Sequence, residues 1–310
     1  TKIQIGVQSL DDETLAKNLR GHNVATTKKA FELLRLGGFK IHAHWMVNLY
    51  GANPEKEAED FKKLWTSDFC PDELKIYPTS VIANTKLAEL YETGEYLPYS
   101  TENLIEIVGE LKTLVPPFCR ITRVIRDIPS QEIIAGNKIS NLRQDVKKYL
   151  DKKGLKCECI RCREIKQQEV LESELKLEVI QYETSISTEY FLSFVTTENK
   201  IAGFLRLSIP FEELREEHFI EELKGSAIIR EVHVYGGVVG IGKEEEGKAQ
   251  HFGLGKRLIE KAEEISRENG VRNLAVISAI GTRNYYKMRG FEMENGNLYM
   301  HKTLEIKQKY

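Results

Sequence analysis

Two short patterns in this chain have the residue types and spacing to do chemistry. The first is Gln250-His251-Phe252-Gly253-Leu254-Gly255, which runs into a helical stretch from Gly255 to Glu268. The first N–H groups of a helix lack intrahelical partners, and the helix dipole adds positive charge behind them. Glycines allow an anion such as a pyrophosphate to approach the backbone. Lys256 and Arg257 stand in the same first turn, where cations are unfavourable unless an anion binds there. The second pattern is Cys157-x-Cys159-x-x-Cys162, three of the five cysteines within six residues. One tight loop can present three thiolates at about 2.3 Å from a zinc ion. Cys119, a histidine such as His218, or water would supply the fourth ligand. An iron–sulfur centre or unligated thiols fit the same spacing. Zinc in a structural role, pinning a linker, is the expectation.

The glycine pattern needs strands around it. Ile228-Ile229-Arg230-Glu231-Val232-His233-Val234-Tyr235 reads as a β-rich strand ahead of the loop, and Leu274-Ala275-Val276-Ile277-Ser278 as a second, apolar one. Between Gly281 and Phe291 a short helix, about 282–289, carries Asn284, Tyr285 and Tyr286. If the two strands splay apart, a pantetheine arm can enter and pair its amides with strand backbone. Further strands are expected at 175–184, 189–197 and 201–209, an acidic helix at 211–223 and a last strand near 297–305.

The N-terminal part alternates strand and helix. Strands are expected at Ile3–Ser9, Phe39–Leu49, Leu74–Pro78 and Arg120–Ile125. Helices are expected at Asp11–Gly21, Asn23–Gly37, Pro54–Trp65, Asn103–Leu114 and Leu142–Lys153. A βα series of about four strands implies a parallel sheet, roughly half of an eightfold barrel. The chain opens inside a strand, so the missing half is expected upstream of Thr1. On one strand face His42 and His44 are candidates for ligand contact or interior hydrogen bonding, and Gln8 faces the same choice.

With 310 residues, 41 % of them hydrophobic, the chain can fill two domains. A net charge of −2 gives no bulk signal for nucleic acid. Basic residues do cluster locally, at Arg120, Arg123, Arg126, Lys147, Lys148, Lys152, Lys153, Arg161 and Arg163. No run reaches the roughly 20 apolar residues of a membrane helix, so a cytoplasmic protein with no membrane partner is expected.

The order of strand, glycine turn, strand and tyrosine helix resembles the GNAT acetyltransferase family. Three segments resemble the catalytic subunit of Elongator more closely: Arg230–Gly236, Gln250–Gly255 and Gly281–Tyr286. Gly6-Val7-Gln8-Ser9, Arg20-Gly21-His22, Leu74–Pro78 and Arg123–Pro129 look like the C-terminal portion of that family's radical-SAM barrel. The resemblance covers nearly the whole chain. It implies an α/β chain with part of a radical-SAM barrel at 1–140, a linker with the cysteine loop at 141–165, and a GNAT acetyl-CoA-binding domain at 166–310.

The implied activity is acetyl-CoA-dependent modification of the wobble uridine of tRNA at C5, with tRNA-stimulated acetyl-CoA hydrolysis. SAM and a [4Fe–4S] cluster would act in the full-length protein only, because the family's cluster cysteines fall before Thr1. Glu231, Val232, His233, Val234, Gln250, Gly253, Leu254, Gly255, Lys256 and Tyr286 are the implied acetyl-CoA contacts. Tyr286, Tyr285, Glu231 and His233 are the implied catalytic residues, with Tyr286 preferred over Tyr285 for contact with the CoA sulfur. Implied partners are the anticodon region of tRNA and either a second copy or other Elongator-type subunits. A protein-lysine N-acetyltransferase is the competing activity, and a non-catalytic tRNA-binding module a third reading.

Overall fold

The computed structural model describes residues 1–166, 170–235, 253–294 and 296–305. The chain forms two compact units, one of Gln4–Phe31 with Ile41–Cys162, the other of Thr1–Ile3, Glu32–Lys40 and Arg163–Tyr310.

The first unit is built from β1 (Lys2–Gln8), α1 (Asp12–Lys17), α2 (Val24–Leu36), β2 (Lys40–Val47), α3 (Pro54–Lys63), β3 (Glu73–Pro78), β4 (Ser80–Ile82), α4 (Lys86–Glu92), α5 (Thr101–Thr113), β5 (Arg120–Arg123), β6 (Ile133–Gly136), α6 (Leu142–Lys153) and α7 (Ile160–Arg163), except that the start of β1, the last turns of α2 from Glu32, Lys40 at the start of β2 and Arg163 belong to the second unit. Strands β1, β2, β3 and β5 make a four-stranded sheet in that order. The β2–β3 and β3–β5 pairs are parallel, as a βα series requires. Local chemistry sets the helix ends. The Asp11 carboxylate accepts from Thr14 N at 2.9 Å, and Asn53 caps α3 with Pro54 in the first turn. Gly154 ends α6 in the left-handed region at φ 69°.

His42 and His44 share a face, with ring centroids 5.6 Å apart. His42 Nε2 lies 2.9 Å from Thr122 Oγ1 and its Nδ1 3.2 Å from Glu73. His44 Nε2 lies 3.0 Å from Gln4 Oε1. Both histidines are thus held in hydrogen-bonded polar contacts. Gln8 is buried at the end of β1 with φ 70°.

Glu57 in α3 is buried, and burial pushes its carboxyl from 4.5 up to about 8, even though Asn48 N donates to it. The sign follows from linkage. Between pH 4.5 and about 8 the unfolded chain has ionised this group while the folded chain still holds the proton, so stability falls as pH rises through that window. Glu57→Gln is therefore expected to stabilise the protein at pH 9 by on the order of 2–4 kcal/mol and to be nearly neutral at pH 4, read from urea unfolding at both pH values.

The second unit centres on a six-stranded sheet. Its strands and helices are β7 (Lys176–Glu183), β8 (Ser187–Val195), β9 (Ile201–Pro210), α8 (Glu212–Glu216), β10 (Ser226–Val234), α9 (Leu254–Glu268), β11 (Asn273–Val276), α10 (Arg283–Lys287) and β12 (Met300–Thr303). The sheet order is β12-β11-β10-β9-β8-β7. All pairs are antiparallel except β10–β11, which is parallel. Leu254, Leu258, Ile259, Ala262 and Ile265 recur at helical spacing and lay α9 on the core.

Three expectations are corrected. The acidic helix at 211–223 is broken into α8 and a 3₁₀ turn at Glu221–Leu223. The break is His218, buried with Nδ1 accepting from Ile220 N at 3.0 Å and Nε2 3.1 Å from Leu36 O. Those two bonds also occupy both ring nitrogens and remove His218 as a zinc ligand. The tyrosine helix is shorter than 282–289, because a 3₁₀ turn at Ile280–Thr282 supplies its first residues. The β4–β6 antiparallel pair and α4 had no counterpart in the sequence reading.

Candidate functional site

The parallel contact between β10 and β11 covers only Ser226–Ile229 against Asn273–Val276. At that point the β10–β9 register slips, with Ile229 opposite Leu207 and Glu231 opposite Arg206. Arg230 is the extra residue of a β-bulge. A bulge bends its strand and increases local twist. Here it carries β10 on to Val234 with β9 on one side and no β11 on the other. The β10–β11 pairing thus ends at Ile229, next to the bulge, where the sequence places the splay. The β11-facing backbone groups from Glu231 to Val234 form a short strand edge, which is what an extended amide chain pairs with.

The end of this edge meets the start of α9. Gly253, at the N-cap, holds φ 60°, and among the described residues no side chain caps the helix. No acidic residue occupies the first turn. Lys256 is exposed, 3.6 Å from Glu260, and Arg257 pairs with Glu172 at 3.0 Å. A Cβ on Gly255 would sit 3.7 Å from Val234 and would run into the Tyr285 hydroxyl. The three parts of the sequence pattern that are described thus converge on one place. Gln250, His251 and Phe252 lie outside the described residues.

The two tyrosines have separate environments. Tyr285 is half-buried, brings its hydroxyl to the first turn of α9, and stacks under Arg289, whose guanidinium is 3.4 Å from the ring centroid. Tyr286 is buried in the core against Phe291 and Tyr285. Burial raises the pKa of both hydroxyls, so both stay protonated.

Glu231 and His233 point to the sheet face opposite the α9 core, where Val232 and Val234 pack. Glu231 accepts from Lys40 Nζ at 2.7 Å and Arg206 Nε at 3.0 Å. Burial alone would raise its pKa, but the charges of Arg206 and Lys40 outweigh that and hold it below the usual range. A carboxylate so held is a weak general base. His233 is exposed, stacked 5.6 Å from Phe204 and edge-on to Tyr235 at 4.4 Å.

Beneath this face lies an ionic layer that the sequence reading missed. Glu189 Oε2 accepts from Arg230 at 2.7 and 3.1 Å and pairs with Arg35 at 3.4 Å, while Ser187 donates to Oε1 at 2.8 Å. Glu189, Arg230, Arg35 and Arg206 are each at most 2 % exposed. The available signal was a charge inside an apolar strand run, as in Phe204-Leu205-Arg206-Leu207, which demands a buried partner.

In the other unit the sulfurs of Cys157, Cys159 and Cys162 lie within 4.8 Å of one another. Cys119 is not part of that group, although its carbonyl accepts from Ile160 N at 3.0 Å. The Cys159 thiol falls well below the usual range because Cys157 and Cys162 both donate to it, and the Cys157 thiol rises correspondingly. Arg143, half-buried and bonded to Ile121 O at 3.2 Å, and the buried Lys112 place positive charge near this cluster. Three convergent sulfurs with cations beside them suit a divalent thiophilic metal.

The basic residues are less uniform than their sequence clustering implied. Arg123, Lys147 and Lys148 are paired with Asp127, Asp151 and Asp145. Arg163 is buried and bonded to Asn199 at 2.6 Å, so it does not belong to an exposed basic face. Among the described residues no helix is long and apolar enough to cross a membrane.

Comparisons with known proteins show the family of the chain. A model of the Radical_SAM C-terminal domain matches residues 71–152, and one of the Acetyltransferase (GNAT) family matches residues 159–291. A tRNA uridine(34) acetyltransferase of Dehalococcoides mccartyi is 38 % identical over 97 % of this chain and 66 % of its own length. Elongator complex protein 3 of Homo sapiens is 38 % identical over 98 % of this chain and 56 % of its own. The solved structure of Methanocaldococcus infernus Elp3 with an N-terminal deletion matches with a TM-score of 0.89 at 37 % identity, over 98 % of this chain and 72 % of that one. The chain thus spans between about half and two thirds of these two curated relatives.

Proposed function

This chain belongs to the family of Elongator complex protein 3 and the tRNA uridine(34) acetyltransferases, and on that premise we propose that it binds acetyl-CoA and supplies acetyl groups to modification of the tRNA wobble uridine at C5. The observation that carries the reading is the end of β10–β11 pairing at Ile229, with the free edge running on to Val234 beside Gly255 in the first turn of α9.

On this reading the pantetheine amides pair with the backbone of Glu231, Val232, His233 and Val234. The pyrophosphate sits on the first-turn amides of Leu254, Gly255 and Lys256, with Gly253 beside it; Gln250, which the family resemblance adds to this set, lies outside the described residues. Water attacks the thioester carbonyl, the C–O bond forms and the C–S bond breaks. Tyr286 or Tyr285 donates a hydrogen bond or proton to the leaving sulfur, and His233 takes the proton of the water. Tyr285, whose hydroxyl reaches the α9 turn, joins Tyr286 as a CoA contact. Glu231 acts as a fixed charge and not as the base. That character disfavours a lysine acetyltransferase that would deprotonate its amine through Glu231.

SAM and a [4Fe–4S] cluster belong to the whole enzyme on this reading. Among the described residues the one group of three convergent sulfurs is Cys157, Cys159 and Cys162. Residues 1–140 are read as the barrel portion, 141–165 as the linker and 166–310 as the acetyl-CoA domain. The partners are the anticodon region of tRNA and a second copy or Elongator-type subunits, in the cytoplasm. Stimulation of acetyl-CoA hydrolysis by tRNA supports the proposal. N-acetylation of a histone-type peptide, sustained without tRNA, would replace it with the competing activity.

Zinc at Cys157, Cys159 and Cys162 is proposed as a structural ion, with the fourth ligand from water or a residue outside the group. Cys159→Ser is expected to reduce zinc, measured by elemental analysis of the purified protein, from about one per chain to near background, since each ligand is essential to a closed structural site. Unchanged zinc content would move the metal elsewhere.

A further inference from the structure

We propose that Lys40 is a positioning residue of the acetyl site: with Arg206 it fixes the Glu231 carboxylate at the mouth of the strand split. The proposal rests on the acetyl-CoA reading above.

Lys40 is remote in sequence from every acetyl-CoA motif, yet it packs with the unit that carries them. The α2–β2 turn that delivers it is tightly built. Gly38 holds φ 72°, and a Cβ there would lie 2.9 Å from Ile228 of β10. Tyr299 Oη donates to Gly37 O at 2.7 Å, and Arg230 Nη1 donates to Phe39 O at 3.2 Å. The turn is therefore held at Gly37 and Phe39, just ahead of Lys40, the second of them by the bulge residue Arg230 itself. Lys40 Nζ meets Glu231 Oε1 and Arg206 meets Oε2, so each oxygen has its own cation. Glu231 is the first residue past the bulge. A carboxylate fixed there by two cations cannot swing into the split or take a proton from the reaction. Lys40 is 18 % exposed, so its ammonium borders water while Arg206 is enclosed. The charged and titratable groups around Glu231 are Lys40 on β2, Arg206 on β9, His233 on its own strand and Tyr286 on α10, whose hydroxyl feels the Glu231 charge.

The test compares Lys40→Met, which keeps the stem and removes the charge, with Lys40→Arg, which keeps the charge. Two readouts are taken. The first is the ¹³C-carboxyl titration of Glu231, assigned with Glu231→Gln, which needs no activity. The expected result is an upward shift of the Glu231 midpoint by about one pH unit in Lys40→Met and recovery in Lys40→Arg. The second is acetyl-CoA hydrolysis. Lys40→Met should lower kcat by about 10-fold or more with KM changed less than about 3-fold, and Lys40→Arg should restore most of it. An unshifted Glu231 midpoint in Lys40→Met overturns the proposal, as does a kcat unchanged from wild type. If Lys40→Met raises KM and leaves kcat intact, Lys40 is a binding contact and the positioning role is wrong. A wild-type protein that neither binds nor hydrolyses acetyl-CoA sinks the functional reading instead, while the carboxyl titration still decides whether Lys40 holds Glu231.

Discussion

Gly255→Ala is expected to weaken acetyl-CoA binding by on the order of 100-fold, about 2.7 kcal/mol, with little loss of fold stability. The added methyl meets the Tyr285 hydroxyl, which must leave the first turn of α9. Tyr285 is anchored by Arg289, which stacks on its ring and donates to its carbonyl at 2.6 Å, so it cannot move without disturbing that pair. The collision is local, because the next contacts, Tyr285 Cζ at 3.4 Å and Val234 Cγ2 at 3.7 Å, tolerate a methyl. The phenylalanine variant of Tyr285 lacks the clashing oxygen. In a Tyr285→Phe background, Gly255→Ala should therefore cost several-fold less than it does alone, a non-additivity expected of two groups in contact. Isothermal titration of all four proteins with a desulfo analogue of acetyl-CoA reads the cycle. Full additivity would mean that the glycine serves the ligand directly and that the Tyr285 contact is incidental.

Glu189→Ala is the largest expected stability effect, about 3–5 kcal/mol. Glu189 accepts from Arg230 and is ion-paired with Arg35, and Ser187 satisfies its other oxygen. Removing it takes the shared carboxylate away from two buried guanidinium groups. Breaking a buried pair from one side costs more than the pair itself contributes, because a desolvated charge is stranded. Arg230 is also the bulge residue, so the strand split should loosen with it. Urea unfolding followed by circular dichroism measures the loss. A change below about 1 kcal/mol would show that the layer admits water or rearranges at little cost.

How much of this was legible depends on the range of the interaction. Helix α6 lies at Leu142–Lys153 as its pattern indicates, because an amphipathic stripe and a glycine cap are local signals. The strand at Glu231, the α9 start and the tyrosine helix were legible for the same reason. The β4–β6 pair was not, since Ser80 meets Gly136 across a long stretch of chain that no local pattern encodes. The ionic layer was hidden differently. Arg206 stands out as a charge in an apolar run, but its partner and those of Arg35, Glu189 and Arg230 are set only by the fold, which buries all four. Lys40 is the extreme case, reaching Glu231 from a position 191 residues earlier. The Cys157, Cys159 and Cys162 group was visible because its ligands are neighbours, whereas a fourth ligand is not.

The central claim is that the gap between β10 and β11 and the start of α9 form an acetyl-CoA site. Isothermal titration of this chain with a desulfo analogue of acetyl-CoA tests it most directly. The account predicts saturable binding at about one site per chain, abolished or strongly weakened by Gly255→Ala. Absence of saturable heat from a folded protein, or equal binding by wild type and Gly255→Ala, would contradict it.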